Sequence, residues 1–183
     1  MSSAHHESFT RIFANEGKRP VFAIDYRLAP NTKYPENLHD CIRSYFWIID
    51  FVENVVGTDL ESIILVGDSA GGNLACALTA WLIENKQRKP DLLALCYASL
   101  SIKLDGMAKS YVLSLKDAFL NYYSMKTVRD MYLPVGECDE SEDYYINPVQ
   151  IPDHILKKFP KTRILVCEND PLRDDQIRIA RRL

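Results

Sequence analysis

Several features are missing from this 183-residue chain, and each absence narrows the reading. There is no excess of basic charge. The 22 Lys and Arg stand against 25 Asp and Glu for a net charge of −3, which argues against a general nucleic-acid binder while leaving room for a local basic patch. There is no Cys-x-x-Cys pair. The five cysteines (Cys41, Cys76, Cys96, Cys138 and Cys167) are scattered and odd in number, so zinc-site spacing is lacking. We expect no metal, no cofactor and a reduced, cytoplasmic compartment. Cys76, Cys96 and Cys167 lie in apolar runs and read as core residues. No apolar run approaches the roughly 20 residues that span a bilayer. Met1–His6 lacks the basic start and apolar stretch of a secretory signal. No internal repeat or low-complexity tract is present.

What is present is ordinary for a folded domain: 47% hydrophobic and 26% charged residues. The length suits one domain, residues 1–183, with a small inserted lid. Strand-like and helix-like segments alternate. Residues 3–16 put Phe9, Ile12 and Phe13 on one helical face, and Gly17 stops that helix. Val21–Ile24 reads as a short buried strand. A helix is predicted over 36–56, with Leu38, Ile42, Phe46, Ile49 and Val52 on one face and Gly57 at its end. Residues 62–66 are apolar at nearly every position, as a strand buried on both faces would be. Residues 72–88 return to helical spacing, 92–100 and 163–167 read as further strands, and 174–183 begins another helix. This alternation implies an α/β fold with a parallel sheet. Residues 105–150 break it. Rich in tyrosine and ending in an acidic run from Glu137 to Asp143, they read as a lid-like insertion of helices and loops, with the acidic run a solvated loop.

Gly67-Asp68-Ser69-Ala70-Gly71-Gly72 joins the strand over 62–66 to the next helix. A sharp strand-to-helix turn projects a hydroxyl from the C-terminal edge of a sheet. Glycines at 67 and 71 remove side chains that would clash there. Ser69 then stands at a helix N-terminus, where free amides and the helix dipole favour developing negative charge, and the Ala70 N–H is the natural first oxyanion donor. A Gly-rich turn in this position also suits phosphate binding, or no ligand at all. Asp170 lies just past the strand over 163–167, on the same sheet edge. It suits the acid that orients an imidazole, or a cap for the final helix, a role open to Asp174 and Asp175 as well.

Taken in order, Asp25-Tyr26-Arg27-Leu28-Ala29-Pro30, Tyr34-Pro35, Asp40, Gly67-Asp68-Ser69-Ala70-Gly71-Gly72-Asn73-Leu74 and Asp170-Pro171-Leu172-Arg173-Asp174 resemble the hormone-sensitive lipase family of α/β-hydrolases. The resemblance runs along nearly the whole chain and is weakest over 105–150. It implies a three-layer, mostly parallel sheet and an esterase or lipase acting on a small-molecule acyl ester or acylglycerol, with peripheral contact to a lipid surface. By the resemblance Ser69 is the nucleophile, Asp170 the triad acid and the Ala70 N–H an oxyanion donor. Asp25 to Asp40 are structural.

The sequence departs from that family in two places. Nothing matches its His-Gly-Gly-Gly loop. No His follows Asp170, where the chain order of the fold expects one; the four are His5, His6, His39 and His154. The chain therefore reads as the central piece of a hydrolase, nearly inactive by itself. A second reading is a non-catalytic ligand-binding relative, of the kind that the plant gibberellin receptors resemble. A third is an unrelated phosphate-binding domain.

Overall fold

The computed structural model describes residues 6–104, 108–134 and 142–183. The chain forms two compact units, one ending at Leu60 and one beginning at Glu61.

The first unit is helical. Helix α1 (Glu7–Gly17) ends where Lys18, not Gly17, takes the left-handed conformation at φ 49°. Its predicted apolar face forms, but Phe9, Ile12 and Phe13 are all more than half exposed. Helix α2 (Glu36–Asp50) continues as a π-helical stretch, Phe51–Val56, and stops at Gly57, whose φ of 70° suits glycine. Its buried side is Leu38, Cys41 and Tyr45, a face turned slightly from the predicted one.

The strand expected over Val21–Ile24 does not form. Residues 21–28 carry no strand, and Val21 and Phe22 are exposed. An apolar run becomes a strand only when a neighbour completes its ladder, and the sheet of the described residues does not include this segment. Phe22 instead meets the Phe51 ring edge-on at 6.3 Å. Arg27 reads the start of α2: its Nε and Nη2 donate to the two oxygens of Asp40, each at 2.8 Å, and Nη2 also donates to Glu36. This confirms a structural use for the motif around Arg27.

The second unit is α/β. Strands β1 (Ile64–Asp68), β2 (Leu92–Cys96) and β3 (Lys161–Leu165) form a parallel sheet in the order β1-β2-β3. The register aligns Gly67, Leu95 and Ile164. Helix α3 (Ala70–Glu84) follows β1 directly and is apolar nearly all round, with ten of its fifteen residues buried. It packs on the face carrying Leu65, Leu93, Leu95 and Ile164. Helices α4 (Lys109–Leu113), α5 (Tyr122–Tyr132), α6 (Asp153–Leu156) and α7 (Arg173–Ala180) complete the unit, with a 3-10 turn at Pro148–Gln150. Val149, Ile151, Ile155, Leu156 and Ile179 close the core over α3 and the sheet.

Two expectations change here. The strand predicted over 62–66 sits at Ile64–Asp68, and it is not buried on both faces: Ile64 and Val66 are 48% and 44% exposed, and Leu165 of β3 is 59% exposed. Of the cysteines, Cys76 is fully buried as expected, but Cys96 is only half-buried and Cys167 is exposed, because it lies beyond the end of β3 rather than within it. Cys138, His5 and most of the acidic run lie outside the described residues.

Candidate active site

The site is built where β1 hands over to α3. Asp68 is the last residue of β1 and Ala70 the first of α3, so one residue makes the whole turn. That residue is Ser69, at φ 50° and ψ −118°, in the left-handed region that non-glycine residues rarely occupy. Such strain persists only where the surroundings hold it, and backbone hydrogen bonds do so. The Ser69 N–H donates to the Cys96 carbonyl at 3.0 Å, the Ser69 carbonyl accepts from Ser99 N–H at 3.0 Å, and the Gly72 N–H also donates to it at 3.1 Å.

Glycine is required where the turn closes on itself and on the segment just after β2. A Cβ on Gly67 would lie 2.3 Å from the Gly71 carbonyl oxygen, and one on Gly72 would lie 2.4 Å from the Ala98 Cβ. Gly71 differs from expectation. A Cβ there would meet only an Asp68 carboxylate oxygen at 3.9 Å, an ordinary contact. The pair that the turn needs is Gly67 and Gly72.

Ser69 occupies the N-cap position of α3, yet its hydroxyl makes no capping hydrogen bond. The Oγ is therefore not spent on the helix. Ala70, the next residue, is exposed, and its amide belongs to the first turn of α3, which has no carbonyl partner within the helix.

Ser69 lines a cavity of about 270 Å³ together with Tyr97, Asp117, Phe119, Leu120, Cys167 and the segment Asn169–Leu172. The structure thus brings Ser69 and Asp170 to one cavity. Asp170 is buried, at 7% exposure, and accepts a hydrogen bond from the Leu172 N–H at 2.9 Å. Burial raises its carboxyl above the ordinary aspartate range, and the charge of Asp117 pushes the same way. The Leu172 amide and the Gln176 side chain pull against both. Neither neighbouring aspartate duplicates it. Asp174 accepts from Ser110 N–H and pairs with Arg173, while Asp175 is absent from the cavity wall.

No histidine lines this cavity among the described residues. His39 pairs with Glu36 at 3.5 Å, and His154 is exposed on α6. Five lining residues escape sequence reasoning: Tyr97, Asp117, Phe119, Leu120 and Asn169. Tyr97 has a local mark, a positive φ of 38° just after β2. Asp117 does not: it accepts from the Phe119 and Leu120 amides and so shapes the loop that carries these two residues to the cavity.

Comparison with known proteins agrees with this geometry. A family model described as alpha/beta hydrolase fold matches residues 1–183. An arylesterase of Saccharolobus solfataricus is 29% identical over 184 residues, covering 97% of this chain and 56% of its own. The hormone-sensitive lipase of Mus musculus is 34% identical over 119 residues, covering 65% of this chain and 15% of its own. Among solved structures, a thermostable carboxylesterase cloned from a metagenomic library superposes with a TM-score of 0.89 at 26% identity, over 100% of this chain and 60% of that one. A hyperthermophilic esterase from the archaeon Pyrobaculum calidifontis gives 0.89 at 26%, over 99% and 58%. The chain spans little more than half the length of the arylesterase it matches. With a family match along all 183 residues, the chain belongs to the α/β-hydrolase family, on its hormone-sensitive-lipase-like side.

Proposed function

We propose that this chain carries the nucleophile and the acid of a carboxylic ester hydrolase. The observation that carries this reading is the uncapped Ser69 hydroxyl, held on a left-handed turn and sharing a cavity with the buried Asp170. In this reading Ser69 Oγ attacks the ester carbonyl. The alcohol leaves, an acyl-enzyme forms, and water then releases the acid. The Ala70 N–H donates to the oxyanion of the tetrahedral intermediate. The Ser69 proton passes to an imidazole that the described residues do not supply, and Asp170 orients that imidazole and stabilises the imidazolium formed.

The substrate class is an acyl ester with an apolar acyl part, in keeping with Phe119, Leu120 and Tyr97 on the cavity wall and with the esterase and lipase names of the relatives. Contact with a lipid surface is supported by the apolar side chains that 108–132 presents to solvent: Leu113, Phe119 and Tyr123 are each more than three-quarters exposed. No described helix is long and apolar enough to cross a membrane.

The described residues bring no imidazole to the cavity, so in this reading turnover by the chain itself is slow. Loss of the base in a serine triad costs roughly 10⁶-fold in kcat. Added imidazole supplies the test. It should accelerate hydrolysis of p-nitrophenyl butyrate by the chain, and Ser69→Ala should reduce that acceleration to the level of imidazole in buffer. Mass spectrometry should find the acyl group on Ser69. An acceleration that survives Ser69→Ala would defeat the proposal.

The absence of histidine from the cavity among the described residues is the observation that favours the alternative, a small-molecule binding protein built on the same fold. It predicts saturable binding of an uncleaved ester with no adduct at Ser69.

A further inference from the structure

A second cavity, of about 620 Å³, shares no lining residue with the first. It is lined by Lys109, Asp174, Ile177, Arg178, Arg181 and Arg182. Four of these six are cations, in a chain whose net charge is −3.

The wall is assembled from two elements. Ser110 at the start of α4 is stitched to the start of α7: its N–H donates to Asp174 Oδ2 at 2.9 Å, its hydroxyl donates to the Pro171 carbonyl at 2.8 Å, and the Asp174 N–H donates back to the hydroxyl at 3.2 Å. This brings Lys109 to the face of α7 on which Arg178 and Arg181 follow Asp174 at helical spacing.

Two of the charges are already committed. Arg182 donates to the Val149 and Ile151 carbonyls at 2.6 and 2.5 Å and pairs with Asp153 at 2.7 Å, so it is a fixed part of the wall. Asp174 is held below the ordinary aspartate range by the Ser110 amide and pairs with Arg173, so it stays anionic and engaged. The remaining three are not. Lys109, Arg178 and Arg181 make no ion pair with any described residue. Arg178 does lie near Asp175, whose carboxyl burial pushes up while the charge of Arg178 pulls it back. Some other cations of the chain are paired, as Arg11 with Glu7, Arg27 with Glu36 and Asp40, and Lys126 with Asp130.

Three cations around one opening, none in an ion pair with a described residue, repel each other, and an anion between them lowers that cost. Guanidinium forks match the oxygens of phosphate in pairs. The volume falls in the range of small-molecule sites, about 300–1,000 Å³, and exceeds what a single phosphate group fills. Ile177 is the one apolar residue of the wall, so a ligand there is held by charge rather than by burial.

We propose that Lys109, Arg178 and Arg181 form a binding site for a phosphate-bearing ligand with at least two negative charges. The phosphate belongs either to a soluble phosphorylated small molecule or to the headgroup of an anionic phospholipid. The site is separate from the Ser69 cavity and does not depend on any reaction there.

Calorimetric titration of the 183-residue chain with pyrophosphate tests the soluble source. Co-sedimentation with phosphatidylcholine vesicles, with and without phosphatidic acid, tests the lipid source. The double variant Arg178→Gln, Arg181→Gln is expected to weaken binding at least about tenfold, with Lys116→Gln, an exposed lysine outside this cavity, as the unchanged control. Lys109→Gln weakens binding in the same direction from the separate helix α4 and reads the site if the double variant fails to fold. Pyrophosphate binding that the variants weaken assigns a soluble ligand. Retention on phosphatidic acid vesicles alone, lost in the same variants, assigns a headgroup. Binding to neither probe, or binding that both sets of variants leave within a few-fold of the parent, overturns the proposal.

Discussion

At the scale of single residues, Asp170 is under conflicting demands. In the proposed triad role it works as an anion, yet burial in this cavity favours its neutral form, and among the described residues no cation lines the wall to offset that. The sign of the linkage follows. An aspartate whose folded pKa is raised contributes stability that is full below the ordinary aspartate range and lost as pH rises through the raised value. At neutral pH the buried anion therefore weakens the fold. Asp170→Asn keeps an acceptor for the Leu172 amide and removes the charge. It also places a donor near Gln176, whose Oε1 has no hydrogen-bond partner. Thermal melts of this variant should show a higher Tm than the parent at pH 7, with the gap closing as pH falls toward about 4. Equal Tm values across that range would show that burial does not penalise the carboxylate. The glycines of the turn give a second test. Gly72→Ala should cost about 1–3 kcal/mol in urea unfolding, because the new methyl meets Ala98 at 2.4 Å, whereas Gly71→Ala should change stability by less than about 1 kcal/mol. The sequence makes Ser69 and Asp170 legible, since their types and spacing follow from a turn and a strand end. It assigns the tight glycine to 71 rather than 72 because the clashing atom belongs to Ala98, and only the pairing of β1 with β2 brings Ala98 there.

At the scale of elements, helix periodicity survives translation into structure better than strand identity does. Helices α2, α3 and α7 appear close to where apolar spacing and glycine stops put them. A helix closes its own hydrogen bonds, so its pattern is local. A strand is a relation between two segments. Hence 62–66 and 163–167 are found two residues away from their predicted positions, and Val21–Ile24 is no strand at all. The ties between elements are equally non-local. Asn73, on the second turn of α3, donates from Nδ2 to the Ser99 and Ile146 carbonyls, both at 2.8 Å, and so binds α3 to the segment that follows β2 and to the segment before the 3-10 turn. Asn73→Ala removes both bonds and leaves two carbonyls short of a donor in the interior. A loss of about 1–3 kcal/mol is expected, measured by urea unfolding at constant m-value. A loss under about half a kcal/mol would mean that water or a shifted backbone replaces the amide.

At the scale of the whole molecule, the sheet poses the largest physical problem. An apolar strand sequence announces that it will be buried, but not by which segment. Leu65, Leu93, Leu95 and Ile164 are covered by α3 and its neighbours, whereas Ile64, Val66 and Leu165 on the opposite face remain about half exposed. The register puts Ile64 beside Leu92 and Leu165 beside Cys96, so these side chains adjoin other apolar ones. β1 and β3 are both edge strands of the described sheet. Exposed apolar side chains beside open edges promote association; Asp68, Lys161 and Arg163 share that face and temper it, while a net charge of only −3 opposes it weakly. Charging that face at both edges, with Val66→Lys and Leu165→Lys together, should lower the fraction of the 183-residue chain in large species by light scattering and leave the Tm within a few degrees. Both side chains project away from the core, so the substitutions sacrifice little packing. If association continues unchanged while the fold is retained, the sticky surface lies elsewhere, and the exposed apolar side chains of 108–132 become the next place to put a charge.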